Sequence, residues 1–349
     1  MKKTILSLIV AVVGTLSSFA QDEFIATLSH GSNLSTFTGE DALAKAYEAA
    51  VDGDVITLSP GVFVATDINK CITLRGAGCQ PMASNGYVPT QVVGTLNITV
   101  PAEFSSAPTL EGFEALGEVN LNRSGEKMAP VNFLKCRFNS SVYGLGVSLN
   151  ATSCIFASYL YAYYSRNGLY QNTTLNCYNC IIKRAYSEGL RTSSNSYAIG
   201  KITATNCILG YYDQLPRSVL VNCIVIDNGG WCLNSECLAN NCIGMNHALN
   251  DSSRNIFKDV YAPNTMLEGY RPYSSIFKTF ASIDNLPYGE TYELTDEAAA
   301  KYLGEDGTQV GVYGGASPFN LSLTNPQITK FSVSSATEGN QLKVKINVE

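Results

Sequence analysis

One short phrase recurs six times between residues 136 and 242, and it constrains the fold more than any other feature of the chain. Each copy has a cysteine, with mostly apolar residues five before, three before and two after it, and any residue directly after it. The alternation of apolar positions breaks directly before the cysteine, where Asn is most common. We therefore predict two short strands joined by a sharp bend, for which Asn takes the left-handed backbone conformation. The cysteines are Cys136, Cys154, Cys180, Cys207, Cys223 and Cys242.

Repeats of this kind predict a solenoid, in which each unit buries its apolar face only by stacking on its neighbours. Ahead of the repeat, Leu43, Ala46, Tyr47, Ala50 and Val51 follow a helical spacing, and short strands separated by Gly and Pro come next. Such a helix would cover the open end of the solenoid.

The C-terminal part of the chain departs from the repeat. Residues 295–302 are predicted to form a short helix begun by Thr295. Residues 325–349 alternate in hydropathy on both sides of 338–340, which predicts a two-strand hairpin.

Several phrases resemble one known superfamily. GDVITLSPGVF at 53–63 and ITLRGAG at 72–78 resemble the opening of right-handed parallel β-helix proteins of the pectin-lyase-like superfamily. The Asn-Cys phrases at 179, 206, 222 and 241 resemble its rungs, and DGTQVGVYGGASPF at 306–319 resembles the closing segment of secreted β-helix proteins from Bacteroidetes-type bacteria.

The resemblance implies an all-β fold, a single-stranded right-handed parallel β-helix. From the residue patterns above we expect it to have an N-terminal α-helix cap and a C-terminal β-hairpin. We expect a signal peptide at 1–20, a lead-in at 21–37, the β-helix domain at 38–320 and the hairpin extension at 321–349. The superfamily includes lyases, hydrolases, esterases and adhesins, so the resemblance implies no single activity.

The first twenty residues predict export. Lys2 and Lys3 precede an apolar stretch that ends in Ser18-Phe19-Ala20, which is typical of a signal peptide and too short to span a membrane. Gln21 follows instead of a Cys, so we expect no lipid anchor. We predict no transmembrane segment, and a location in the periplasm, at the cell surface or outside the cell.

The charge of the chain argues against nucleic acid and anionic membranes as partners. Without Lys2 and Lys3, 21 basic residues stand against 29 acidic residues, a formal charge of −8.

The chain has eleven cysteines, which in an exported protein ordinarily suggest disulfides. Because the repeat cysteines occupy an inward position, we predict that they are buried free thiols. Disulfides between neighbouring rungs are the alternative. Cys177 and Cys180 have a metal-ligand spacing, but no second pair completes a site. Cys232 and Cys237 are the pair that we predict to form a disulfide.

Catalytic motifs are scarce. The chain has two histidines, His30 and His247, and lacks a Gly-x-Ser-x-Gly motif, a metal-binding His pair and a phosphate-binding Gly loop. The motifs of the superfamily's polygalacturonases and pectin methylesterases are absent, and nothing matches the Ca²⁺ cluster of its pectate lyases. We therefore assign no catalytic residue, metal ligand or cofactor, and we leave Ca²⁺ open.

The spacing of the repeat indicates a candidate site. Successive cysteines are 18, 26, 27, 16 and 19 residues apart, so two consecutive rungs carry insertions, which we place at 157–174 and 183–201. Insertions on adjacent rungs stack beside each other. The predicted ligand-binding residues are Tyr161, Tyr163, Tyr164, Arg166, Lys183, Arg184, Glu188, Arg191, Tyr211, Tyr212 and Asp213.

Three interpretations of these residues are open. In the first, the tyrosines stack on sugars and the basic groups pair with uronates or sulfates. In the second, the tyrosines are strand residues that partly face inward, and the basic residues are ordinary surface. In the third, Lys183, Arg184 or Arg191 and a Tyr form a lyase site. We favour a secreted, non-catalytic glycan-binding or surface protein. A polysaccharide lyase or glycoside hydrolase acting on acidic glycans and a purely structural surface protein are the alternatives.

Overall fold

The computed structural model describes residues 24–81, 88–103, 106–122, 128–163, 173–187, 189–191, 197–212, 218–227, 237–245, 256–258, 273–280, 282–322, 328–333 and 344–348. Most of its strands belong to two large sheets of thirteen and twelve strands, in which nearly all neighbours are parallel. This arrangement confirms the predicted all-β parallel solenoid.

The first sheet contributes one parallel strand to each rung. Ten strands from β3 to β25 follow one another in parallel, and β1 and β2 add an antiparallel hairpin at the N-terminal edge. A short strand, β18 (Gly189–Arg191), pairs antiparallel with β19. The other strands are β1 (Ile25–His30), β2 (Asn33–Thr38), β3 (Val55–Leu58), β5 (Thr73–Arg75), β8 (Thr109–Glu111), β11 (Val131–Leu134), β14 (Ser148–Thr152), β16 (Thr173–Tyr178), β19 (Tyr197–Thr205), β21 (Val219–Val221), β23 (Leu238–Asn240) and β25 (Ile256–Lys258).

The second sheet has two strands in several early rungs, and β12 and β13 both pair with the single strand β15 of the next rung. A register shift between Phe156 and Tyr159 marks the join. Its strands are β4 (Gly61–Val64), β6 (Thr90–Val93), β7 (Leu96–Ile98), β9 (Glu114–Ala115), β10 (Val119–Leu121), β12 (Arg137–Phe138), β13 (Val142–Leu145), β15 (Ile155–Tyr163), β17 (Ile181–Ser187), β20 (Ile208–Tyr212), β22 (Ile224–Asp227) and β24 (Ile243–Gly244).

We name three outward faces of the solenoid. Face 1 is the outside of the first sheet. Face 2 is the outside of β4, β6, β9 and β12. It continues over the first residues of the next strands in the same row, β15, β17, β20, β22 and β24. Face 3 is the outside of β7, β10 and β13 and of the later residues of β15, β17 and β20.

The bend before each repeat cysteine has the predicted left-handed backbone. Its φ lies between 49° and 55° in all six copies, including the two in which Lys or Ser replaces Asn. A left-handed residue with a Cβ costs about 1–2 kcal/mol, which Asn tolerates best among the non-glycine residues. The six residues are Lys135, Ser153, Asn179, Asn206, Asn222 and Asn241.

The six repeat cysteines form a column in the core. All are fully buried free thiols, as predicted. The backbone N–H of Cys154 donates to Sγ of Cys180, and the N–H of Cys180 donates to Sγ of Cys207, both over 3.4 Å. Burial raises the pKa of the Cys136 thiol to about 12.

The predicted N-terminal helix spans Ala42–Ala49 and contacts the first strands of both sheets. Leu43, Ala46 and Tyr47 are buried as expected. Val51 was predicted to belong to the same apolar face, but the helix ends before it and Val51 is 50% exposed. The hairpin of β1 and β2 occupies the expected lead-in and joins the first sheet through β3.

Both predicted C-terminal elements are present. The helix Asp296–Lys301 begins at Thr295, whose Oγ1 accepts a hydrogen bond from the backbone N–H of Ala298 at 3.2 Å. Strands β26 (Ile328–Val333) and β27 (Val344–Val348) pair antiparallel. The hairpin turn lies outside the described residues.

A long C-terminal segment covers face 2. We call residues 273–280 and 282–322 the strap. The repeat assigns no role to the position directly after the cysteine, yet five of its six copies have isoleucine there. These isoleucines point outward and are buried in a second apolar cluster with strap residues such as Phe277, Tyr292 and Val312. They are Ile155, Ile181, Ile208, Ile224 and Ile243.

We predict that the cysteine column reacts only after unfolding. Thiol titration of native protein should detect none of the six repeat cysteines, because all six are fully buried and out of reach of the reagent. Titration of denatured, unreduced protein should detect all six. Fewer than six thiols in the denatured protein would show that the column is cross-linked.

We predict that Asn179→Ala is more destabilising than Asn179→Gly. Both variants lose the amide that donates to the carbonyls of Val312 and Gly314, at 2.9 and 2.8 Å. Glycine adopts the left-handed bend freely, whereas alanine should lower the free energy of unfolding by about 1 kcal/mol more. Urea unfolding of both variants measures the difference, and equal stabilities would contradict this role of the bend.

Candidate functional site

Five tyrosines form a cluster on face 3, which we call the tyrosine face. In β15 the side chains alternate: Leu160 and Ala162 are buried inward, and the tyrosines on either side of each lie half-buried on the outside. One tyrosine of β13 and one of β17 extend the cluster to the neighbouring rungs. Its members are Tyr143, Tyr159, Tyr161, Tyr163 and Tyr186.

The tyrosine rings pack against one another. Tyr143, Tyr161 and Tyr186 occupy the same register position on three successive strands. The rings of Tyr143 and Tyr161 are parallel with centroids 4.9 Å apart, and Tyr159 lies at the same distance on Tyr161. A ring stacked in this way presents its edge and its hydroxyl group, more than its face, to a ligand.

The same outward row is polar in the earlier rungs. Asn120 and Asn97 precede Tyr143 in register. The amide of Asn120 donates to the side-chain oxygen of Asn97 at 3.0 Å, and the amide of Asn97 donates to Asp67 at 2.8 Å. Amides and tyrosines therefore form one continuous line along the solenoid.

A cation lies beside this line. Arg184 is in register between Tyr159 and Tyr211. Its guanidinium carbon is 5.3 Å from the Tyr159 ring centroid and 4.8 Å from that of Tyr211, and Nη1 donates to the Tyr159 hydroxyl at 3.0 Å. Two aromatic rings and a phenol oxygen thus hold the charge at the surface.

The strap borders the tyrosine face. The ammonium group of Lys183 donates to the backbone carbonyl of Asp284. The hydroxyl of Tyr211 donates to the carboxylate of Asp284 at 3.2 Å. These contacts fix the edge of the strap next to Arg184.

The structure brings together five of the predicted site residues, Tyr161, Tyr163, Lys183, Arg184 and Tyr211. Tyr159, Tyr161 and Tyr163 are strand residues, as the second interpretation expects. They do not face inward, because Leu160 and Ala162 occupy the inward positions of β15. The first part of the expected insertion continues β15 beyond the register shift, and its residues 160–162 pair with both neighbouring strands.

The other predicted site residues stay predictions. Tyr164, Arg166, Glu188, Asp213 and Cys232 lie outside the described residues, and for Arg191 in β18 and Tyr212 in β20 the description covers the backbone alone. Cys237 is buried in the core, five residues before Cys242. A disulfide between Cys232 and Cys237 therefore also stays a prediction.

Sequence reasoning missed Tyr143. The signal that could have found it is the distance from the repeat cysteine: Tyr143 and Tyr161 each follow theirs, Cys136 and Cys154, by seven residues. In a solenoid, equal distances from the repeat place two side chains on the same outward row.

A second polar group, which we call the polar anchor, lies on face 2 around the fully buried Glu114. Its carboxylate accepts hydrogen bonds from Gln91 at 2.7 Å, from Asn139 at 2.6 Å and from the Tyr288 hydroxyl. Nε of Arg137, also buried, is 3.6 Å from the same carboxylate.

The polar anchor holds the strap. Nη2 of Arg137 donates to the backbone carbonyl of Leu286 at 2.6 Å, and its guanidinium lies 4.5 Å from the ring centroid of Tyr288. Since Glu114 is buried and surrounded by donors, it is a structural carboxylate.

Few catalytic groups appear elsewhere among the described residues. His30 contacts Asp54 at 2.7 Å, and His247 lies outside the described part. Within the described ranges, no three His, Cys, Asp or Glu side chains converge as a metal site would require. No described helix is both long and apolar enough to cross a membrane.

Comparison with known proteins adds no relative. No family model, curated protein or solved structure matches this chain significantly.

We predict that Arg137→Met is severely destabilising. The variant leaves Glu114 buried without its counter-ion, which should cost about 3–5 kcal/mol in the free energy of unfolding. The double variant Arg137→Met with Glu114→Gln removes both charges and should recover part of the loss. Denaturant unfolding measures both.

The exposed ion pair between Lys45 and Asp41, 2.9 Å apart, provides the control. Lys45→Met should change stability by less than about 1 kcal/mol. A loss for Arg137→Met as small as that for Lys45→Met would contradict the role of the polar anchor.

Proposed function

We propose that this protein is an exported, right-handed parallel β-helix protein of the pectin-lyase-like type that binds glycan at a cell or host surface without cleaving it. The tyrosine face is its proposed binding site. The observation that carries the proposal is the outward row of Tyr143, Tyr161 and Tyr186, in register on three successive strands.

The regular spacing of this row favours an extended polymer. Parallel strands repeat about every 4.8 Å, so the row offers similar groups at equal intervals along the solenoid axis. A linear polysaccharide lying along that axis would meet equivalent contacts at each rung. Phenol hydroxyls both donate and accept hydrogen bonds, which suits sugar hydroxyls.

A purely structural role explains the row less well. The stability of the solenoid comes from its inward stacks and from the strap, and neither contains a tyrosine of this face. Earlier rungs have Asn97 and Asn120 in the same row, so the position itself does not require an aromatic side chain. Clusters of half-exposed aromatic residues are typical of binding surfaces.

The charge beside the row favours an acidic glycan. The chain has a formal charge of −6, yet Arg184 and Lys183 lie together at the edge of the tyrosine face. A guanidinium binds a carboxylate or a sulfate more strongly than it binds a neutral hydroxyl group. We therefore expect uronate-containing or sulfated polysaccharides to bind better than neutral ones.

One contact favours a lyase as the second candidate. Arg184 donates to the Tyr159 hydroxyl at 3.0 Å. In a β-elimination, an arginine neutralises the uronate carboxylate while a nearby tyrosine removes or returns a proton. A hydrolase is less well supported, because it needs two carboxylates that flank one glycosidic bond.

We predict that removing single hydroxyls weakens glycan binding. Tyr143→Phe and Tyr161→Phe keep the ring stack but each lose one hydrogen-bonding group, so affinity should fall about fivefold. Arg184→Gln should reduce binding of uronate polymers by about tenfold or more and leave neutral glucans almost unaffected. A glycan array followed by calorimetry with the polymers that bind measures both effects.

The control is Tyr178→Phe on face 1, where Tyr178 is 41% exposed. It should leave affinity unchanged. An ultraviolet-absorbance assay on uronate polymers runs in parallel, and product formation that Arg184→Gln abolishes would establish the lyase instead. Absence of binding and of product formation on all polymers would leave the structural role.

A further inference from the structure

The hairpin strand β2 ends the first sheet with an open edge. It pairs with β1 on one side, and among the described residues no strand pairs with its other side. Nearly all of β2 is exposed, and Leu34 is 72% exposed.

The hydrogen-bond pattern shows which groups point outward. The N–H of Gly39 donates to the carbonyl of Phe24 at 3.0 Å, so the odd-numbered residues of this strand bond to β1. Because the direction alternates along an antiparallel strand, Leu34, Thr36 and Thr38 point their N–H and C=O groups away from the sheet.

This edge lacks the features that normally block association. Natural edge strands are short, charged, bulged or interrupted by proline. In contrast, β2 has six residues, none of them charged and none proline, and its register with β1 is unbroken. At the other end of the solenoid, β24 has two residues and β25 has three and ends at Lys258.

We propose that β2 pairs antiparallel with β2 of a second copy, about a two-fold axis through Thr36. The outward-pointing residues are symmetric about this position, since Leu34 and Thr38 lie two residues away on either side. The Thr36 residues of the two copies therefore exchange reciprocal hydrogen bonds, and Leu34 of each copy does so with Thr38 of the other.

The side chains are compatible with this pairing. Thr36 lies opposite Thr36 of the other copy, an arrangement that stabilises antiparallel pairs. Ser35 lies opposite Phe37, and no charged residue of β2 is brought opposite another. A second copy thus satisfies every outward group of the edge, and the first sheets of both molecules become one.

The dimer should be weak and dependent on concentration and salt. One strand pair buries less surface than a standard stable interface. Both copies carry a net negative charge, so their repulsion opposes association until salt screens it.

Analytical ultracentrifugation of the full chain over a range of protein and salt concentrations tests the proposal. Wild type should pass from monomer to dimer as protein concentration rises, and more readily with added salt. Thr36→Pro removes an N–H that β1 does not use, and should raise the dissociation constant by about tenfold or more. Thr36→Val keeps the N–H and should dimerise like wild type.

Thr36→Lys provides a second disruption that keeps the backbone intact, because it places like charges opposite each other on the axis. Circular dichroism checks that each variant is folded. A wild type that stays monomeric at every concentration, or a dimer that both Thr36→Pro and Thr36→Lys leave intact, would overturn the proposal.

Discussion

The left-handed residue before each repeat cysteine is the constraint on which the rest of the structure depends. It turns the chain at the same point in every rung, so that the cysteine faces inward and the next residue faces outward. The inward side becomes the thiol column, and the outward side becomes the isoleucine row that the strap covers. One backbone conformation, repeated six times, therefore defines both the core and the surface on which the C-terminal segment packs.

The bend residues also bind the strap directly. Asn179 donates to two strap carbonyls, and the side-chain oxygen of Asn222 accepts from the N–H of Glu305 at 3.3 Å. Gly304 lies so close to Asn222 that a Cβ there would be 2.6 Å from its side chain. The strap is therefore glycine-rich where it crosses the bends, and the polar anchor holds it at Leu286 and Tyr288.

The repeat made the architecture predictable from the sequence, because periodic positions report which side chains face inward. The bends, the cysteine column, the N-terminal helix and the C-terminal hairpin all follow from local spacing. The strap could not be predicted in the same way, since its contacts with Ile155 or Arg137 join residues more than a hundred positions apart in the chain. The candidate site was half predictable: Tyr161 and Arg184 were found by clustering, but Tyr143 required the register between rungs.

The strap also determines the order in which the molecule can be completed. A chain emerges N-terminus first from a ribosome or from an export channel, and its rungs can stack one by one as they emerge. The isoleucine row, however, stays open to solvent until residues 273–322 have been synthesised. A nascent or truncated chain therefore has stacked rungs but an exposed apolar isoleucine row. Chaperones must shield this row, and proteases can recognise the incomplete chain, until the strap packs on it.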